Sequence, residues 1–182
     1  TCDETDVIND LTIDVLDSDL FWVGSDSGIH YYTLSSEEWG DEAYQSGKTY
    51  DFFQGESFVY VATTNGIYEL DPFAASPDPV HTGDSCAVLE VVNDDDTVTV
   101  WHITGSQVCK DGVVLPVQPD TIACSLDKDW NNTVWCGKYW WDETEGSWET
   151  PAGLEGIDIS ESVVSNEGLV YLMTTSGTLL RW

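Results

Sequence analysis

The chain is 182 residues long, within the range of a single domain with its own core. It carries 34 Asp plus Glu against 5 Lys plus Arg, a formal net charge of −29, which excludes a phosphate-binding surface for nucleic acid. Disorder is excluded too, because 41% of the residues are hydrophobic and the chain holds 9 Trp, 8 Tyr and 5 Phe, ample material for a core.

No apolar run approaches the roughly 20 residues of a membrane-spanning helix, and no basic, apolar leader opens the chain, so no membrane insertion is expected. A charge of this size repels itself in dilute buffer. At molar salt the Debye length falls to about 3 Å and hydrated carboxylates keep such a surface soluble. The composition therefore predicts work in high salt and a halophilic source.

Taken in chain order, Asp6-Val7-Ile8 comes first, without a partner of its own nearby. Three strands follow, at Leu11 to Leu16, Leu20 to Gly24 and Gly28 to Leu34, separated by the turns Asp17-Ser18-Asp19 and Ser25-Asp26-Ser27. The string from Leu20 to Tyr32, LFWVGSDSGIHYY, recurs without a gap from Phe58 to Leu70 as FVYVATTNGIYEL. It recurs again from Leu169 to Arg181 as LVYLMTTSGTLLR. Weaker copies begin at Thr97 and Thr133, so five units start 38, 39, 36 and 36 residues apart, near the roughly 40-residue period of four-stranded propeller blades. Gly28, Gly66, Gly105 and Gly177 fall where the hairpin turns need positive φ.

A ragged outer strand is expected at Glu42 to Tyr44, Pro79 to His81, Val113 to Val117 and Trp148 to Thr150, with Pro79 and Pro116 tolerated at an edge. The fifth unit ends at Trp182 after its third strand, and Asp6-Val7-Ile8 is expected to complete that last sheet. No segment shows helical periodicity. The expected fold is all-β, a five-bladed β-propeller closed by the N-terminal strand completing the last blade. It forms a single domain over 1–182, with blade cores near 11–45, 49–82, 86–118, 121–151 and 156–182 and an N-terminal strand at 6–8.

The string WVGSDSGIHY at 22–31, echoed at 60–69, resembles the repeat of regulator-type β-propellers, in which a W-V-G-T-x-x-G-L-Y string forms the middle hairpin of a blade. The resemblance implies a fold and a tendency to bind, and no particular reaction. Unit four departs most, with Trp141 at the position of Gly28.

The cysteines Cys2, Cys86, Cys109, Cys124 and Cys136 are odd in number and form no CxxC pair, which disfavours a zinc or thioredoxin-type site. Cys124 and Cys136 lie symmetrically about Trp130. A cross-strand disulfide there, implying an oxidising compartment, is one reading; buried free thiols are the other.

Aromatic residues recur at the third position of the middle strand, as Trp22, Tyr60, Trp135 and Tyr171, with Thr99 the exception; core packing explains them. Unit four differs. Lys138 to Glu143 and then Trp148 gather several rings near one turn, and Trp140, Trp141 and Trp148 are the candidate ligand-binding residues, weighed against an irregular blade packing its own outer strand. The carboxylate runs Asp17 to Asp19, Asp94 to Asp96 and Asp127 to Asp129 read as solvated turns, since they lack the spacing and glycine of a calcium loop. No metal and no cofactor is expected. Asn131-Asn132-Thr133 matches a glycosylation sequon in a surface turn.

No catalytic residue stands out. His30, His81 and His102 fall in different units, and no carboxylate pair can be singled out for glycoside hydrolysis. The expected role is a non-enzymatic binding or structural module on a virion surface or otherwise extracellular. Its expected partners are neighbouring virion or surface proteins, a cell-surface glycan and further copies of the chain. A small secreted lectin or glycoside hydrolase of a halophilic archaeon is the alternative.

Overall fold

A computed structural model of the chain describes residues 7–40, 45–71, 79–165 and 167–182. The chain divides into two compact units, Thr1–Glu90 and Val91–Trp182. Among the described residues there are strands and turns but no helix, and the strands form five antiparallel sheets.

The first sheet runs β1 (Ile8–Ile13), β2 (Leu20–Ser25), β3 (Gly28–Thr33) and β4 (Glu38–Trp39), with β5 (Gln45–Ser46) also paired to β3. The second runs β6 (Thr49–Gln54), β7 (Val59–Thr63), β8 (Gly66–Leu70) and β9 (Pro79–Thr82). The third runs β10 (Ser85–Val92), β11 (Val98–Thr104), β12 (Gln107–Lys110) and β13 (Val113–Val114), and the boundary between the units falls inside β10. The fourth runs β14 (Leu126–Lys128), β15 (Val134–Cys136), β16 (Tyr139–Asp142) and β17 (Ser147–Glu149). The fifth runs β18 (Ile159–Val164), β19 (Val170–Thr174) and β20 (Leu179–Arg181). Apart from β5, which pairs with β3 as β4 does, the strands of each sheet lie side by side in chain order, so each sheet is a meander built from local hairpins.

One hydrogen bond recurs in all five sheets. The backbone N–H just after the inner strand donates to the carbonyl that opens the middle strand: Asp14 to Leu20 (2.9 Å), Gly55 to Phe58 (2.9 Å), Asn93 to Thr97 (2.8 Å), Asp129 to Thr133 (3.1 Å) and Ser165 to Leu169 (2.9 Å). The five acceptors are the five residues at which the sequence repeats begin. The repeat in sequence is therefore a repeat in backbone bonding.

The middle strands carry the core. In the first unit Leu20, Trp22 and Ile29 pack with Val59, Val61, Tyr68 and Leu70. In the second, Trp135 packs with Leu154, Val170 and Leu172. Each such side chain taken out of water contributes about 1.5–3 kcal/mol.

Carboxylates link successive inner strands. Asp10 of β1 accepts the Phe52 N–H of β6 at 2.8 Å, and Asp51 of β6 accepts the Val88 N–H of β10 at 3.1 Å. Asp127 of β14 does the same for Val164 of β18. Such acids, part of a composition that looked purely superficial, serve as fasteners.

Several expectations are corrected. Ile8 pairs with Ser25, and the Val7 carbonyl accepts the Asp26 N–H at 3.2 Å. A bulge at Asn9 lets β1 continue past its regular register, so Val7 and Ile8 extend the first sheet instead of completing the last; Asp6 lies outside the described residues. The outer segment Glu42 to Tyr44 also lies outside them.

In unit four the turn closes at Gly137, φ +57°, so Trp141 sits inside β16 and is no counterpart of Gly28. The Cys124–Cys136 disulfide is not formed. Leu126 is the residue opposite Cys136, which centres the hairpin one residue beyond Trp130 and leaves Cys124 past the end of β14. Cys136 is a buried free thiol whose S–H faces the Ala123 carbonyl, while Cys86 and Cys124 are each disulfide-bonded. Burial pushes the Cys136 thiol up to about 12, against that backbone hydrogen bond, so it is inert as a nucleophile at neutral pH.

Candidate functional site

Within the second unit, Trp141 on β16 lies directly opposite Trp148 on β17. Their rings meet edge to face at 5.3 Å between centroids, and both meet Trp101 of β11, at 5.9 Å and 6.2 Å. Trp101 is 2% exposed and the other two are half-buried. Aromatic pairs in this geometry add about 0.5–1.5 kcal/mol each beyond the area they bury.

Lys110, opposite Trp101 in the β11–β12 ladder, holds its Nζ 5.3 Å from the centroid of that ring. The same ammonium is 2.9 Å from Glu143 Oε1, and Glu143 Oε2 accepts the indole N–H of Trp141 at 2.6 Å. Burial opposes ionisation of Glu143, but the hydrogen bonds from Lys110 and Trp141 and the charge of Lys110 outweigh it and hold its carboxyl below the usual range. A continuous path, Trp101–Lys110–Glu143–Trp141, thus ties the third sheet to the fourth. A second link is made by Asn132, φ +60°, whose side-chain amide donates to the Val92 carbonyl at 2.9 Å.

Between these two links opens a cleft of about 740 Å³. Asn93, Asp94 and Asp95 line one side, Asn131 and Asn132 the other, and Trp101 and Trp141 lie among its aromatic residues. Asp95 accepts the Thr97 hydroxyl at 2.6 Å and the Thr97 N–H at 3.2 Å, and these bonds lower its carboxyl. Asp142 uses one oxygen for the Thr144 and Glu145 N–H groups, at 2.8 Å and 3.1 Å. The chemistry on offer is a flat ring set among amides and carboxylates.

The three tryptophans singled out in the sequence are placed differently from one another. Trp141 lines the cleft. Trp140, next along β16, packs against the Trp135–Leu154–Leu172 cluster as strand alternation requires, while also contributing to the cleft lining. Trp148 backs the aromatic trio; it does not line the cleft, and its indole N–H is buried without an acceptor.

Trp101 and Lys110 were not anticipated. The available signal was Thr99 at the aromatic position of unit three: Trp101 stands two residues further on the same strand face, so the ring is displaced rather than missing. Among the described residues, no group of three or more His, Cys, Asp or Glu is placed to hold a metal.

Neither a family model nor a curated protein sequence matches the chain. Solved structures do. The extracellular domain of BT4673 from B. thetaiotaomicron, described as a one component system, is 17% identical with a TM-score of 0.68, over 100% of this chain and 28% of that one. An ancestral GH74 enzyme is 16% identical with a TM-score of 0.63, over 96% of this chain and 31% of that one. The WD40 β-propeller domain of Doa1 is 14% identical with a TM-score of 0.60, over 91% of this chain and 60% of that one. The fold is all-β and of the β-propeller class, and its five meander sheets follow the five repeats. The chain spans less than a third of the BT4673 and GH74 chains.

Proposed function

We propose that the chain is a non-enzymatic recognition module that binds a glycan in the cleft between its third and fourth sheets. The observation that carries this reading is Trp141, a half-buried ring pinned by Glu143 at 2.6 Å beside a polar cleft of about 740 Å³. Sugars present apolar faces for such a ring and hydroxyls for the surrounding amides and carboxylates. An exposed, extracellular setting is the natural companion. Disulfide-bonded Cys86 and Cys124 suit an oxidising compartment, and the BT4673 likeness is to an extracellular domain. A surface component working in high salt, on a cell or a virion, is the finer form of the same reading.

The test is calorimetric titration with a panel of oligosaccharides at high salt. At least one should bind, and Trp141→Ala should weaken that binding by about tenfold or more with the circular dichroism spectrum unchanged. Equal binding by the variant, or turnover of glycosides, overturns the proposal.

A further inference from the structure

We infer that the glycan this cleft takes is cationic: a chain of unacetylated amino sugars, one of whose ammonium groups replaces that of Lys110 between Trp101 and Glu143. This rests on the reading of the cleft as a glycan site and adds the charge of the ligand.

The position at issue already holds an ammonium. Lys110 Nζ lies over the Trp101 ring at 5.3 Å and against Glu143 Oε1 at 2.9 Å, the two partners that bind alkylammonium groups most strongly at a protein surface. Its side chain is 30% exposed and ends a flexible four-carbon stem, so it can swing into water without disturbing β12. Trp101, now 2% exposed, then becomes a second flat surface beside Trp141.

The charge balance of the walls points the same way. Lys110 is the one cation in the lining and is already matched by Glu143, whereas Asp94, Asp95 and Asp142 have no cation among the lining residues. Neither Lys128 of β14 nor Lys138 lines the cleft, and Lys138, in the turn before β16, donates to the Ile157 carbonyl at 2.7 Å. A uronate or sulfated sugar would be repelled by these carboxylates, a neutral one would meet them through its hydroxyls alone, and an ammonium would be drawn in by their charge as well.

The experiment compares four hexamers on the full chain at one fixed salt concentration: glucosamine, N-acetylglucosamine, cellohexaose and galacturonate. At pH 5.5 the glucosamine hexamer should bind roughly tenfold tighter than the two neutral ones, and the galacturonate hexamer should not bind. Raising the pH to 8.5, past titration of the sugar amine, should erase the difference. No lining residue is a histidine, the side chain whose ordinary titration falls in the same interval.

Lys110→Met, which keeps the stem and removes the ammonium, should tighten the glucosamine hexamer relative to the neutral hexamers by roughly fivefold. Cationic and neutral hexamers binding alike, or glucosamine binding weakened relative to the neutral hexamers by Lys110→Met, overturns this inference while leaving the glycan reading intact. Binding of none of the four overturns the glycan reading itself, and a Lys-rich peptide binding in their place overturns both. The wild-type comparison decides the matter even if the variant does not fold.

Discussion

Asp14 is 3% exposed and accepts three hydrogen bonds: from the Trp22 indole at 2.7 Å and from the Leu16 and Asp17 N–H groups at 2.8 Å and 3.0 Å. Asn93 and Asp129 stand at the equivalent turn position and reach Thr99 and Trp135, at 3.0 Å and 3.4 Å. Turn residue and middle-strand residue therefore work as a pair. Asp14→Ala strips a buried indole of its acceptor and should cost about 3 kcal/mol in urea denaturation, with a coupling to Trp22→Phe of about 1–2 kcal/mol; additive losses would show that the pair is not coupled. In the second sheet the turn residue is Gly55, and a carboxylate from elsewhere substitutes. Glu90, 2% exposed, accepts the Glu56 N–H at 2.9 Å and pairs with the Tyr60 hydroxyl. Burial and the Glu90 charge both push the neighbouring Glu69 carboxyl upward. A carboxyl raised in the folded state opposes folding once it ionises. The stability it permits is complete below its unfolded value of about 4.3 and is lost as pH rises through the higher folded value. Glu69→Gln should accordingly match the parent below pH ~4 and exceed it in melting temperature at neutral pH. Parallel profiles across that range would exclude the effect.

At the scale of elements, the β7–β8 hairpin shows what the repeat demands of its glycines. Gly66 has φ +150°, and a Cβ there would stand 2.2 Å from the His81 carbonyl oxygen of β9. Gly105, φ +59°, has nothing within 4 Å. Gly66→Ala should cost about 3 kcal/mol and Gly105→Ala about 1 kcal/mol by thermal denaturation; equal losses would mean that conformation alone, and not the approach of β9, selects glycine. The same hairpins explain what was legible in the sequence. Leu20, Phe58, Thr97, Thr133 and Leu169 were readable as repeat starts because each accepts the bond that closes its hairpin, so pattern and bonding share one period. Register was not readable. Counting symmetrically about Trp130 placed Cys124 opposite Cys136, whereas the backbone pairs Leu126 with it, and a shift of this size is invisible in composition. The cleft was half-legible for a similar reason. Trp141 announced itself within one crowded segment, but Lys110 and Glu143 are 33 residues apart and join only after two sheets have formed.

The charge of the whole molecule sets a test that no single residue can. Ion pairs such as Lys48–Asp26 at 3.0 Å and Lys110–Glu143 at 2.9 Å draw on 5 Lys plus Arg in a chain whose net charge is −29. Exposed pairs of this kind contribute little, so mutual repulsion among carboxylates dominates the long-range electrostatics. Salt acts on both terms with opposite signs. It weakens ion pairs, lowering stability, and screens the repulsion, raising it, as the Debye length shrinks from about 8 Å at 0.15 M to about 3 Å at 1 M. With 5 Lys plus Arg against 34 Asp plus Glu, the second effect wins. The melting temperature should climb by about 5–10 °C between 0.1 M and 2 M KCl, equivalent to a gain of about 2–3 kcal/mol for a chain of this size. Sucrose at matched osmolality, which favours burial without screening, should give a smaller rise. Replacing ten exposed carboxylates with their amides should flatten the KCl response and leave the sucrose response in place. A melting temperature that is level or falling with KCl would mean that the acids are held by local hydrogen bonds such as those of Asp10, Asp14 and Asp127, and that high salt is not the condition for which this surface was selected.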